Sequence, residues 1–195
     1  NLNKESILDV QLGDQVQKEM SIVFSDIRSF TSLSEKMSPE KNFEFINTYL
    51  SKMGPIVRNN HGYIDKYIGD SIMALFDRSA EDAVRTSVNM LDSLREYNKE
   101  RIAEGDDIIQ IGIGVNTGEM MLGTLGESDR MEGSVISDAV NLAARLESLT
   151  KLYKTPLLLS ETTLLKLEKN LFKTRLIDKV AVKGKEIPVM VHEVL

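Results

Sequence analysis

Residues 63–76 read Tyr63-Ile64-Asp65-Lys66-Tyr67-Ile68-Gly69-Asp70-Ser71-Ile72-Met73-Ala74-Leu75-Phe76. Two runs with strand-like composition flank Gly69-Asp70, a two-residue connection of the kind that closes a β-hairpin. Upstream, Ser38-Pro39 supplies a side-chain oxygen at the N-cap and proline at the first helical position. From there Phe43, Ile46, Leu50, Met53 and Val57 recur at helical spacing until Asn59-Asn60-His61-Gly62. Before this helix lie a short buried strand, Met20 to Ser25, and a short helix, Ser29 to Lys36. Downstream, Ala80, Ala83, Val84, Ser87, Val88, Leu91 and Leu94 predict another helix. Ile108 to Asn116 and Glu119 to Leu125 predict two strands around Thr117-Gly118. A polar loop, Gly126 to Gly133, leads through Ser134-Val135-Ile136 to a helix from Ser137 to Leu149. A strand (Pro156–Ser160), a short helix (Glu161–Leu167) and a terminal hairpin (Phe172–Val182, Ile187–Val194) complete the chain. The order β-α-α-β-β-α-β-β-α-β-α-β-β predicts an α+β fold, a ferredoxin-like mixed sheet with helices on one face.

The 195 residues carry a net charge of -6 and are 42% hydrophobic, which suits one domain with a substantial core. Such acidity argues against a broad grip on nucleic acid, although a small phosphorylated ligand needs only a few cations or a metal ion. With no cysteine, disulfides and thiolate chemistry are excluded, and a reducing, cytoplasmic setting is expected. Two histidines exclude most His-rich metal sites. No apolar run approaches the length of a membrane-spanning helix, so no membrane insertion by these residues is expected. Asn1 to Gln17 are too polar for a core element and read as a linker entering a domain at residues 18–195.

Asp26 follows the first strand and alone reads as a helix cap; Asp70 alone reads as a turn residue. If the first strand lies beside the hairpin, both carboxylates emerge at one sheet edge although 44 residues apart in sequence. Their repulsion would be relieved by a shared Mg²⁺. The turn Ile27 to Thr31 leaves backbone N–H groups facing outward at a helix start, as a phosphate cradle requires. Lys66 could be an ordinary solvated strand lysine, and Arg145, one helical turn from Asn141, an ordinary partner-pairing charge.

Phe24-Ser25-Asp26-Ile27-Arg28-Ser29-Phe30-Thr31, Asp65-Lys66-Tyr67-Ile68-Gly69-Asp70 and Asp138-Ala139-Val140-Asn141-Leu142-Ala143-Ala144-Arg145 together resemble the class III nucleotidyl cyclases, most closely the bacterial adenylate cyclases. The resemblance runs from about Lys18 to the end. It implies a head-to-tail homodimer with active sites at the interface, two Mg²⁺ ions per site (or Mn²⁺ in their place) and ATP as substrate. By resemblance, Asp26, Asp70 and the Ile27 carbonyl hold metal, and backbone donors of Arg28, Ser29, Phe30 and Thr31 hold the terminal phosphates. Lys183 is similar to the family's terminal-phosphate lysine, and Arg130 is a further phosphate contact. The partner subunit would supply Lys66 and Ser134 to read the base, Asn141 to orient the ribose and Arg145 to stabilise charge on the reacting phosphate.

Adenine offers an acceptor at N1 and donors at its amino group, which suit a lysine donor and a hydroxyl acceptor; guanine reverses this edge. Ser134 stands where adenylyl members more often have Thr or Asp, and Ser137 where many relatives have Gly; Ser137 could cap the helix that follows. The alternatives are a guanylate cyclase and a catalytically silent nucleotide-binding signalling module. A diguanylate cyclase or palm-type polymerase is disfavoured, because the hairpin lacks that group's Gly-Gly-Asp/Glu-Glu-Phe turn. The linker implies an upstream sensor domain.

Overall fold

A computed structural model describes residues 15–127, 130–181 and 188–195. In chain order the elements are β1 (Gln15–Ile27), α1 (Phe30–Ser34), α2 (Pro39–Asn59), β2 (Tyr63–Ile68), β3 (Ser71–Phe76), α3 (Ala80–Glu104), β4 (Ile111–Glu127), β5 (Arg130–Ile136), α4 (Asp138–Tyr153), β6 (Leu157–Ser160), α5 (Glu161–Leu164), β7 (Thr174–Val180) and β8 (Val189–Val194). The sheet order is β2-β3-β1-β4-β6-β8-β7, with β5 paired to β4; β4 and β6 run parallel and the other pairs antiparallel. This is the expected α+β mixed sheet. Among the described residues no helix is long and apolar enough to cross a membrane.

The two-residue strand period sorts the core into two sides. Val23 and Ile27 of β1, Ile72, Ala74 and Phe76 of β3, and Ile111, Ile113 and Val115 of β4 pack with Tyr49, Met53 and Val57 of α2 and Ala83, Met90 and Leu94 of α3. The alternate residues Met20, Ile22, Met73 and Leu75 pack with Ala139 and Ala143 of α4, and Leu158 with Leu142, Leu146 and Leu149. So α4 covers the face opposite α2 and α3, whereas the sequence suggested helices on one face only. Glycine explains the seat of α4. A Cβ on Gly114 would overlap the helix backbone at Ala143 O and Glu147 N, so this strand position admits the helix only without a side chain.

Residues 111–127 form one strand rather than two. Thr117-Gly118 resembles a turn dipeptide, yet both residues pair in register with Ser21 and Met20 of β1. The expected polar loop is in part β5, which opens at Arg130. The hairpin of β2 and β3 turns at Gly69, whose φ of 63° is the left-handed conformation glycine adopts without penalty. Ser38 caps α2 by accepting from Lys41 N, and Ser137 caps α4 by accepting from Ala139 N while donating to Glu119 O. β1 begins at Gln15, inside the stretch read as a linker, and pairs with β4 at every residue from Gln15 to Ile27.

Candidate active site

β1 lies between β3 and β4, with Ser25 opposite Ile72. This pairing brings the end of β1 beside the hairpin turn, so Asp26 and Asp70 meet. The Ile27 N–H donates to Asp70 Oδ2 at 3.1 Å, and the Ser71 hydroxyl donates to Asp26 Oδ1. Burial pushes the Asp70 carboxyl up to about 6, the negative charge of Asp26 adds to the rise, and backbone N–H bonds partly oppose it. Beneath the pair, the fully buried Tyr49 of α2 holds its hydroxyl 3.4 Å from Ser25 Oγ; burial raises its pKa far above the usual phenol range.

Among the described residues no cluster of three or more His, Cys, Asp or Glu is arranged to hold a metal. Any cation here would rest on two carboxylates plus backbone or substrate oxygens. That donor set suits a hard divalent ion such as Mg²⁺, whose charge would offset both the burial and the Asp26 repulsion that raise Asp70.

The turn after β1 differs from expectation at one residue. Arg28 N donates to Gln110 O at 2.8 Å, so its N–H joins the sheet and is not an outward donor. Ser29 follows with φ 55°, and α1 starts at Phe30. The N–H groups of Ser29, Phe30 and Thr31 precede or open the first turn, where no intrahelical acceptor exists.

A third carboxylate lies nearby. Glu147, on the sheet side of α4, is 3.5 Å from Arg28, whose guanidinium also donates to the Thr150 hydroxyl. Burial lifts Glu147 to about 7, helped by the charge of Asp26 and opposed by Arg28. Sequence reading missed Glu147 and Thr150, which stand 119 and 122 residues from Arg28. Polar residues three apart on the apolar face of α4 were the available signal.

The remaining predicted residues sit on other elements. Lys66, on β2 just past a bulge at Ile64–Lys66, is half-buried with its ammonium 3.4 Å from Asp65. Ser134 is half-buried on β5 opposite Gly123. Asn141 and Arg145 are exposed on α4, whose other side packs on the sheet. Arg130 opens β5 opposite Glu127, whereas Lys183 lies outside the described residues. One chain therefore brings Asp26, Ile27 and Asp70 together and leaves Asn141 and Arg145 facing outward.

A profile described as "Adenylate and Guanylate cyclase catalytic domain" matches residues 12–193. An adenylate cyclase of Anabaena cylindrica is 41% identical over 197 residues, covering 97% of this chain and 39% of that protein. The chain thus spans about two-fifths of the length of that curated relative. The crystal structure of the adenylyl cyclase CyaB from P. aeruginosa superposes with a TM-score of 0.84 at 32% identity, covering 93% of this chain and 95% of that one. That of the guanylyl cyclase Cya2 superposes with a TM-score of 0.78 at 33% identity, covering 94% of each chain.

Proposed function

The chain belongs to the adenylate and guanylate cyclase catalytic domain family, and on that footing we propose that it converts ATP to 3′,5′-cyclic AMP and pyrophosphate. The observation that carries this reading is the meeting of Asp26 with Asp70 beside an open helix start. Asp26, Asp70 and the Ile27 carbonyl would hold two divalent cations. When bound, these offset charge on the triphosphate and lower the pKa of the ribose 3′-hydroxyl. The N–H groups of Ser29, Phe30 and Thr31, with Lys183 and Arg130, grip the terminal phosphates. The ribose 3′-hydroxyl gives up its proton to solvent water, its oxygen forms a bond to the α-phosphorus, and the bond from that phosphorus to pyrophosphate breaks. Because nucleophile and electrophile belong to one molecule, the protein acts chiefly by positioning.

The outward placement of Asn141 and Arg145 supports completion of each site by a second copy in a head-to-tail homodimer. In that arrangement the partner's copies of Asn141 and Arg145 lie along the ribose and α-phosphate, and those of Lys66 and Ser134 read the base. Lys66 donates and Ser134 accepts, the pattern adenine needs, which favours ATP over GTP by ~1–3 kcal/mol per satisfied group. The likeness to a guanylyl cyclase makes GTP turnover the necessary control. The curated relative is longer than this chain, which supports attachment of the cyclase domain to a sensor domain; the cyclase domain itself includes Gln15 to Gln17 of β1 and works in the cytoplasm.

The test mixes Asp26→Ala with Lys66→Ala, each inactive alone. Mixed dimers contain one intact site and should regain cyclase activity. No recovery in demonstrated mixed dimers refutes sharing, and no product from ATP or GTP with the native chain leaves the silent module. Equal kcat/KM for the two nucleotides refutes the base assignment.

A further inference from the structure

Arg28 follows the metal-binding strand end by two residues, yet its side chain turns to the opposite wall, α4. It donates to the Thr150 hydroxyl and lies 3.5 Å from Glu147; the Thr150 hydroxyl in turn donates to Glu147 O, closing the cluster on the helix. Arg28 and Glu147 side chains are only 19% and 13% exposed, and Thr150 is fully buried. Space for them is made on β4. A Cβ on Gly112 would overlap Thr150 Oγ1, Glu147 Oε1 and Arg28 Nη2 together, so the three groups converge on a place the strand leaves bare.

A largely buried ion pair contributes little net stability compared with apolar side chains of the same volume. What this one does is fix α4 against the end of β1 through directional bonds at a single point. The two elements carry different halves of the chemistry: Asp26 on β1, Asn141 and Arg145 on α4. We infer that Arg28, Glu147 and Thr150 are positioning residues that tie the metal-binding turn of a chain to its own α4. This rests on the shared-site reading above, because in such a dimer one chain's Asp26 serves one active site and its Asn141 and Arg145 serve the other. The cluster is then a hydrogen-bonded path between the two active sites through one subunit, and displacement of the turn at one site is passed to α4 at the other.

Mixed dimers with one intact site test this directly. One chain carries Lys66→Ala and contributes the aspartates; the other carries Asp26→Ala and contributes Lys66, Asn141 and Arg145. Glu147→Gln in the aspartate-contributing chain should raise the half-saturating Mg²⁺ concentration about tenfold, the scale seen when a group orienting a metal ligand is lost. The same substitution in the other chain should lower kcat about tenfold and leave the Mg²⁺ requirement unchanged. Thr150→Val, which keeps the volume and removes the hydroxyl, should reproduce both effects if Glu147→Gln folds poorly; Thr150→Ser should reverse them. An effect from one chain only, or from neither, overturns the coupling while the parent mixture remains active. An inactive parent mixture overturns the shared site itself.

Discussion

Replacing Asp70 by asparagine should make the metal-free protein more stable at neutral pH while abolishing activity. In the fold Asp70 keeps its proton up to about pH 6, against 3.8 in an unconstrained chain, because burial and the charge of Asp26 both oppose ionisation. Taken at face value the difference amounts to about 3 kcal/mol. The residue is only half-buried, and solvent screening reduces this to about 1–2 kcal/mol. Between pH 4 and pH 6 the folded chain binds more protons than the unfolded one, so stability falls as pH rises through this window. The amide introduced by Asp70→Asn has no proton to lose and still offers an oxygen to the Ile27 N–H. The stability gap between the variant and the native chain should therefore widen from near zero at pH 4 to about 1–2 kcal/mol at pH 7.5. At about 2–4 °C per kcal/mol for a chain of this size, thermal melts should separate by roughly 2–8 °C. Glu147 acts in the same direction, since the charge of Asp70 contributes to its elevation. Millimolar Mg²⁺ should then raise the melting temperature of the native chain and not that of the variant. Melting curves followed from pH 4 to pH 8 provide the assay. A gap that does not change with pH, or a variant less stable than the native chain at pH 7.5, refutes the reasoning.

Gly114→Ala should destabilise by about 3 kcal/mol, because its Cβ meets the backbone of α4 rather than a side chain that can swing away. Gly118→Ala, facing only the Ala139 Cβ at 3.2 Å, should cost under about 1 kcal/mol, and urea titration of the two separates them. Arg145→Ala should lower kcat about 100-fold or more, the scale of losing a group that stabilises transition-state charge, yet leave the melting temperature within about 1 °C because the residue is exposed. Lys66→Glu with Ser134→Cys should shift the ratio of kcat/KM for ATP over GTP at least about tenfold toward GTP.

Much of the fold was legible because each element carried its own periodicity. The Ser38-Pro39 start of α2, the Gly69 turn and the apolar runs of β1 and β3 are local signals, and the structure honours them. The meeting of Asp26 and Asp70 was legible for the same reason, since each closes an element whose neighbour could be guessed. What escaped was decided by packing at a distance. Thr117-Gly118 has turn composition, but it lies within a strand, where Gly118 admits Ala139 of α4. β5 read as a loop because pairing with β4 gives a polar segment no alternating apolar face to reveal it. Likewise Glu147 and Thr150 are ordinary helix residues until β4 leaves room at Gly112 and Arg28 reaches across.

β1 pairs residue for residue with β4 from Gln15 to Ile27, so about 40 Å of unbroken ladder separates its exposed beginning from Asp26. In mechanical terms the strand is a strut without a hinge. A pull along it loads the ladder in shear, where thirteen paired residues share the force at once, instead of peeling bonds one by one. A displacement imposed at Gln15 accordingly meets no flexible joint in which to dissipate before it reaches the carboxylate at the other end.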